Sequence, residues 1–184
     1  MLNHELVISQ TKKWIVDVVV ACNFCPFAAK EVKRGSIHYQ VISNAERDVI
    51  LKALTAAFHQ LDSEKEIETT LLILPEGFSD FTDYLDLVAD AEDMLAEQGY
   101  EGIYQVASFH PEYLFEDSVS LDPANYTNRS PYPMLHILRE ESVTRAIDSY
   151  PDPENIPQRN IDFANQKGLA YMRLLRDACM GNAS

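Results

Sequence analysis

The spacing of apolar residues along the chain predicts helices that bury one face. Apolar residues recur at intervals of three and four positions in several segments, which is the period of an amphipathic helix. In the segment 140–150 this period predicts that Val143, Ala146 and Ile147 face the protein interior. The predicted helices span residues 5–21, 26–32, 45–61, 80–98, 140–150 and 157–179.

Four shorter segments have the pattern of β-strands. Residues 37–42 combine β-branched and aromatic side chains with period-two alternation, which is typical of a strand. Residues 69–74 form an almost continuous apolar run, so we expect this strand to be covered on both faces. Residues 102–109 and 134–139 are the third and fourth predicted strands.

The order of these elements predicts an α/β fold. Two β-α-β units predict a parallel core with right-handed crossovers. The fourth strand follows a segment without a helix, so we expect it to lie antiparallel beside the third. The prediction is one domain over residues 1–184, with a small mixed sheet of about four strands and helices packed on it. A ferredoxin-like α+β arrangement is the alternative, although its hairpin comes earlier in the order of elements.

The connection between the third and fourth strands, residues 110–133, is unusually long. Connections of this length without regular structure are uncommon and are usually functional or disordered. This one contains Tyr113, Phe115, Tyr126 and Tyr132, and such an aromatic content argues against a disordered linker. We therefore expect a functional site in this loop.

Several polar residues of the loop and of the following strand are candidate site residues. If strands three and four pair, His110 at the end of one strand meets Asn128 before the other. That meeting point is the carboxyl edge of the sheet, where open α/β sheets bind ligands. His110 is predicted to act as a general acid or base, and Arg129 to clamp a carboxylate or phosphate. The predicted substrate-binding residues are Asn128, Arg129, Ser130, Tyr132 and His136.

The segment 22–27, Cys-Asn-Phe-Cys-Pro-Phe, ends the first predicted helix. A cysteine at the start of a helix can have its pKa lowered by the helix dipole and by free N–H groups. Cys25 is therefore a candidate catalytic nucleophile. The alternative is that Cys22 and Cys25 are small buried side chains that pack the corner between two helices.

The chain carries 29 acidic and 15 basic residues among 184, a formal net charge of −14. Such a surface repels phosphate backbones and anionic bilayers, so we expect neither nucleic acid nor a membrane as a partner. No apolar run approaches the length of a membrane span, about 20 residues. Residues 1–7 lack the pattern of a signal peptide, and three cysteines do not make a secreted disulfide framework. These features predict a cytoplasmic protein.

Three motifs together resemble a known protein family. They are Cys-x-x-Cys-Pro-Phe at 22–27, Phe-His-Pro at 109–111, and Asn-Arg-Ser-Pro-Tyr-Pro-Met-Leu-His-Ile-Leu-Arg-Glu at 128–140. This combination resembles a bacterial family known only as domain of unknown function 1415, and the likeness covers nearly the whole chain. The resemblance implies a bacterial source, and it implies no activity, cofactor or catalytic residue.

Three classes of function fit these residues. The first is an enzyme or binder for a small anionic metabolite, acting without a cofactor or a metal. The second is a metal site built from Cys22, Cys25, His110 and His136, a Cys₂His₂ set without the spacing of a zinc finger. The third is a thiol redox or interaction protein, but its Cys-x-x-Cys follows a helix where thioredoxin has a strand. The first class is favoured, and whether the ligand is turned over stays open.

Overall fold

The computed structural model describes residues 3–44 and 46–181, which form a four-stranded mixed sheet with helices on both faces. The strands are β1 (Ile37–Val41), β2 (Thr69–Ile73), β3 (Tyr104–Phe109) and β4 (Met134–Arg139). The helices are α1 (His4–Trp14), α2 (Ala28–Arg34), α3 (Arg47–Ser63), α4 (Phe81–Glu97), α5 (Glu140–Asp148), α6 (Ile156–Lys167) and α7 (Leu169–Asp177). A π-helix (Ile15–Val20) continues α1. Within the described ranges, no helix is both long enough and apolar enough to cross a bilayer.

The strands lie in the order β1-β2-β4-β3. β1 and β2 are parallel, and β4 lies antiparallel between β2 and β3. One row across the sheet pairs Leu71 with His136, and His136 with Ala107. The predicted α/β fold with its mixed sheet is therefore confirmed. The ferredoxin-like alternative is wrong, because α4 and not a hairpin connects β2 to β3.

Helices α3 and α4 cover one face of the sheet. Their apolar stripes meet the strand side chains that point to this face, and full burial of each such side chain stabilises the fold by about 1.5–3 kcal/mol. Asp80 caps α4 by accepting hydrogen bonds from the backbone N–H groups of Thr82 and Asp83. The largest buried side chains on this face are Ile50, Leu54, Phe58, Leu61, Leu72, Tyr84, Leu87, Leu135 and Ile137.

The other face is covered by α1 with its π-helical continuation and by α6 and α7. These helices pack on the end of β2 and on the start of β4, where Ile73 pairs with Met134. They cover Leu71 but leave part of the sheet face beside it open at His136, whose side chain lines a cavity. The buried side chains of this layer include Val7, Trp14, Val18, Leu71, Ala164 and Met172.

Three predictions about the helices need correction or fall outside the structure. The predicted helix 157–179 is two helices, because Gly168 has φ 82° and breaks the α-helical hydrogen bonding. Of the predicted inward residues of α5, Val143 and Ala146 do face inward but are only half-buried, and the prediction is wrong for Ile147, which is exposed. The predicted start of the helix before β2, Ala45, lies outside the described residues.

Candidate functional site

The loop between β3 and β4 begins and ends where the sequence predicts. The antiparallel pairing of the two strands brings the loop ends together, and the backbone N–H of His110 donates to the carbonyl of Asn128 at 3.3 Å. His110 and the residues around Arg129 are therefore neighbours at this edge of the sheet. Their side chains make hydrogen bonds to backbone groups of the protein, which the sequence did not predict.

The His110 side chain is fully buried and both of its ring nitrogens have protein partners. Nδ1 accepts a hydrogen bond from the backbone N–H of Glu112 at 2.9 Å, so in the neutral ring Nε2 carries the proton. Nε2 donates to the carbonyl of Phe78 at 2.8 Å. Burial lowers the pKa of His110, opposed by the bond to Phe78. The ring thus ties the segment after β2 to the loop, and its predicted role as a general acid or base stays a prediction.

Arg129 is also buried, with 4% of its surface exposed. Its Nε donates to the carbonyl of Tyr113 and one terminal nitrogen donates to the carbonyl of Ser120, both at 3.0 Å. The guanidinium also lies over the Tyr126 ring, 4.8 Å from its centroid. These contacts hold the loop against itself. The anion clamp predicted for Arg129 remains a prediction that these contacts do not support.

Ser130 and Tyr132 continue this internal network. Ser130 is buried and its hydroxyl donates to the carbonyl of Tyr132 at 2.5 Å. The Tyr132 hydroxyl donates to the side-chain carbonyl of Gln10 on α1. The loop is therefore a packed element that joins the sheet to α1. Aromatic residues of the loop take part in this packing: Tyr113 contacts Phe115, and Tyr126 lies under the guanidinium of Arg129.

A cavity of about 730 Å³ lies on the sheet face that α1, α6 and α7 leave uncovered. Its volume is within the range of small-molecule sites, about 300–1,000 Å³. Its floor is made by side chains that share one face of the sheet, because they alternate along each strand. The floor residues are Ile37, Thr69, Leu71, Gln105, Ala107, Phe109, His136 and Leu138. We call this space the sheet-face cavity.

The walls of the sheet-face cavity come from three elements on the same side of the sheet. Trp14, Ile15 and Val19 line it from the end of α1 and from the π-helix, a rare conformation that is frequent at functional sites. The second wall is formed by residues 25–28 and by the side chains of Lys30, Glu31 and Arg34 on α2. The third wall is α5. Phe27 packs edge-to-face on Tyr150 at 5.7 Å, which joins the second wall to the third.

His136 lies on the floor of the sheet-face cavity with one nitrogen fixed and the other free. The Thr69 hydroxyl donates its only hydrogen to the carbonyl of Ile137 at 2.5 Å. The 2.7 Å contact between Thr69 Oγ1 and His136 Nε2 therefore requires Nε2 to be the donor. Nδ1 is then a lone-pair acceptor, and no described residue donates to it. Burial lowers the pKa of His136 to about 4, so the ring is neutral at pH 7.

Cys25 lines the same cavity as His136. Burial raises the pKa of its thiol, and the backbone N–H groups of Phe27 and Ala28 act in the opposite direction. The lowered pKa expected of a cysteine at a helix start is therefore not found, and Cys25 is a protonated thiol at neutral pH. Cys22 is only partly buried and does not line the cavity. All three cysteines of the chain are free thiols.

The charge around the sheet-face cavity is opposite in sign to that of the whole chain. Four basic and two acidic residues line it, in a protein of net charge −14. The side chains of Lys30, Arg34 and Arg145 are 72%, 52% and 67% exposed, so they mark a solvent-facing rim. Arg139 is directed elsewhere, because it donates to carbonyls near the end of α3.

Two buried polar atoms of lining residues have no hydrogen-bond partner within the described part of the chain. They are the indole Nε1 of Trp14 and the carboxylate Oε1 of Glu68. Trp14 is otherwise almost completely buried, with 1% of its surface exposed. Unpaired buried polar groups are rare and costly, about 1–3 kcal/mol each. Both atoms are inaccessible to solvent, so they do not themselves face the open cavity.

The four residues of the predicted metal set do not come together. Across residues 3–44 and 46–181, no three His, Cys, Asp or Glu side chains lie close enough to hold a metal ion. Cys25 and His136 share the sheet-face cavity, whereas His110 is committed to the loop. The geometry therefore offers a pocket with a thiol and an imidazole, without a ligand set for a metal.

Sequence reasoning missed most residues of this cavity. Of the predicted site residues, Cys25 and His136 line it. The missed polar residues include Lys30, Arg34, Thr69, Gln105 and Arg145. One signal was available in the strand patterns: Gln105 and Ala107 share a face of β3, and neither side chain fills a core position well. The sequence did not reveal that α5 would stand away from this face.

A family model described as "Protein of unknown function (DUF1415)" matches residues 6–174 of the 184-residue chain. The match covers most of the chain, so the protein belongs to this family, and the resemblance noted in its motifs is confirmed. No curated protein and no solved structure matches the chain. The family description assigns no activity, so any function has to be argued from the sheet-face cavity itself.

Proposed function

We propose that this member of the DUF1415 family binds a small organic anion in the sheet-face cavity and uses His136 to accept a hydrogen bond from it. The observation that carries the proposal is the cavity itself, with apolar walls and a few polar groups. Small-molecule sites have this composition. The proposed site thus lies on a face of the sheet and not in the loop, and it includes Cys25 and His136 among the residues that the sequence suggests.

The charge distribution supports an anionic ligand. A positive rim on a strongly acidic protein attracts anions locally, whereas the rest of the surface repels them. Among the described residues, Glu31 is the acidic partner of two rim cations, at 3.9 Å from Lys30 and 3.7 Å from Arg34. The third rim cation, Arg145, pairs with Glu141 at 3.1 Å. Three positive charges with two acidic partners leave the rim with an excess of one positive charge.

A catalytic role is compatible with the same geometry. A neutral imidazole with a free Nδ1 lone pair can remove a proton from a bound ligand, and Thr69 holds it in the required tautomer. The Cys25 thiol supports a second candidate function, thiol chemistry on the same ligand, because it lines the same space. A cytoplasmic location and a bacterial source are further proposals, based on the composition and on the motifs.

The ligand class can be tested by thermal shift with a panel of carboxylated and phosphorylated metabolites. A ligand at about 100 times its Kd is expected to raise the Tm by about 5–10 °C for a chain of this size. Replacing both Lys30 and Arg34 with glutamine should weaken binding by about tenfold or more, because two rim charges are lost. The matched control replaces Lys33 and Lys52, which are exposed and lie outside the cavity. Equal loss in both double variants would exclude a local role for the rim.

Filling the cavity provides an independent test of its location. Ala107 lies on the floor beside His136, so Ala107→Phe places a ring in the space a ligand needs. We expect binding to weaken by about 100-fold or more, with a Tm within a few degrees of the parent because the ring enters an empty space. Ala107→Ser keeps the cavity open and should bind normally. A ligand that binds Ala107→Phe with parent affinity lies elsewhere, and the cavity proposal is then wrong.

A further inference from the structure

Helix α5 is amphipathic, yet it buries none of its residues. Val143 and Ala146, on its inward side, line the sheet-face cavity, whereas Ile147 is 41% exposed and faces outward. Short helices in proteins are held by the packing of their apolar face, since isolated helices under about 12–15 residues are marginal in water. This nine-residue helix therefore lacks the fully buried side chains that hold most of the other helices; α2 is the other helix without one.

The apolar side of α5 faces the apolar part of the sheet across the cavity. Leu71, Ala107 and Leu138 lie on the floor, and Val143 and Ala146 lie on α5. The space between these two surfaces is part of the sheet-face cavity, whose volume is within the range of small-molecule sites. A ligand that completes the packing of α5 therefore needs an apolar body in contact with both surfaces.

The same helix contributes a cation to the rim. Arg145 is exposed, and its acidic partner among the described residues is Glu141, at 3.1 Å on the same helix. Such an exposed pair contributes little to stability. Lys30 and Arg34 lie on α2, which forms the wall next to α5. The contact between Phe27 and Tyr150 holds these two walls together. An anionic group at the rim is therefore close to positively charged side chains of both α2 and α5.

We propose that the ligand is an amphipathic organic acid, with an alkyl or aryl body between α5 and the sheet and a carboxylate or phosphate at the rim. This inference rests on the proposed function and narrows it. A highly polar anion, such as a sugar phosphate, satisfies the rim but leaves the apolar surfaces of α5 and the floor in contact with water. Burial of the apolar body is what favours the amphipathic acid.

Calorimetric titration of the full-length protein with four probes tests this ligand class. The probes are decanoate, propionate, decanol and glucose 6-phosphate. Neither decanoate nor propionate can donate a hydrogen bond to Nδ1 of His136, so their comparison tests the apolar body alone. Decanoate is expected to bind up to about 10,000-fold more tightly than propionate, since each buried methylene adds about 0.8 kcal/mol and seven are added. Decanol, which lacks the charge, should bind about tenfold more weakly than decanoate.

Two serine variants of α5 separate packing from helix propensity. Val143→Ser removes an apolar contact from the cavity, and Ile147→Ser makes a similar change on the outward side of the same helix. We expect Val143→Ser to weaken decanoate binding about tenfold and Ile147→Ser to leave it unchanged. Arg145→Gln should weaken decanoate but not decanol, and Lys33→Gln should affect neither.

Amide hydrogen exchange reports the response of α5 directly. Decanoate should slow the exchange of residues 140–149 by about tenfold or more, and propionate at the same fractional saturation should not, because only the longer body packs against the helix. Decanoate should still slow the exchange of α5 in Ile147→Ser but not in Val143→Ser. This pair of results would place the apolar body of the ligand against Val143.

The outcomes distinguish the two proposals. If glucose 6-phosphate or propionate binds as tightly as decanoate, with dependence on the rim cations and on Ala107→Phe, the amphipathic class is wrong and the proposed anion site stands. If decanoate binds and neither Val143→Ser nor hydrogen exchange of α5 responds, the placement of the apolar body is wrong. If no anion binds, including the wider metabolite panel, both proposals fail.

Discussion

Replacement of Arg129 with alanine is expected to lower the free energy of unfolding by about 3 kcal/mol. The change leaves two carbonyls, those of Tyr113 and Ser120, without the donors they have now. It also removes the guanidinium from the Tyr126 ring, a contact that contributes about 1 kcal/mol. These losses are those of a buried residue that holds a loop together.

Chemical denaturation of the ligand-free protein measures this effect. Arg145→Ala is the matched control, because Arg145 is an exposed arginine with one acidic partner and its loss should cost no more than about 0.5 kcal/mol. An unchanged midpoint in Arg129→Ala would show that its hydrogen bonds contribute nothing to folding. That result would return Arg129 to the role of anion clamp that its position in the sequence suggests.

The fold was predictable because its main signals are local. The continuous apolar run at 69–74 indicates a strand covered on both faces, and β2 is buried at every position. The absence of a helical pattern between residues 110 and 133 indicates that strand four can return beside strand three, as it does. Helix α7 begins at Leu169, and the glycine that precedes it was the available signal for two helices in place of one.

The roles of His110 and Arg129 were not predictable from residue type. Both have polar side chains that catalyse and bind in other proteins, but here their partners are backbone carbonyls and N–H groups, which every residue has. The carbonyl that accepts from His110 belongs to Phe78, 32 positions earlier in the chain. No spacing rule connects such a pair, because the contact depends on how the segment after β2 passes the end of β3.

The sheet-face cavity was not predictable for a different reason. A cavity is a lack of packing, and a pattern of apolar residues predicts which side chains turn inward but not whether another element reaches them. The pattern of Val143, Ala146 and Ile147 correctly indicates an amphipathic helix, yet two of these residues face an open space and the third faces out. His136 and Cys25 were identifiable from their motifs, and only the fold shows that they share one pocket.

Between about pH 6.5 and 4, the free energy of unfolding is expected to fall more steeply in the parent protein than in a variant in which residue 136 does not titrate. The pKa of His136 is about 4 in the folded protein and about 6.5 in an unfolded chain. Between these values the unfolded state binds more protons, so the free energy of unfolding decreases as pH falls from about 6.5 to 4, and His136 causes no further change below that. The contribution is about 3 kcal/mol, from a shift of about 2.5 units.

His136→Gln is the variant that isolates this contribution. A glutamine amide can still donate to Thr69 but does not titrate, so the variant should lose about 3 kcal/mol less stability than the parent between pH 6.5 and 4. All carboxylates, and the buried His110, are common to both proteins and cancel in the difference. Parallel stability curves for the two proteins over this interval would show that the pKa of His136 is not depressed.

The same depressed pKa determines how ligand binding depends on pH. The proposed ligand donates a hydrogen bond to Nδ1 of His136, and protonation of that nitrogen removes the acceptor. An ordinary histidine is mostly protonated by about pH 5.5, whereas His136 should stay neutral and keep its affinity down to about pH 5. Titrations of an identified ligand from pH 7 to pH 4.5 measure this directly. A loss of affinity centred near pH 6.5, absent in His136→Gln, would mean that the ring is open to solvent and that the cavity does not shield it.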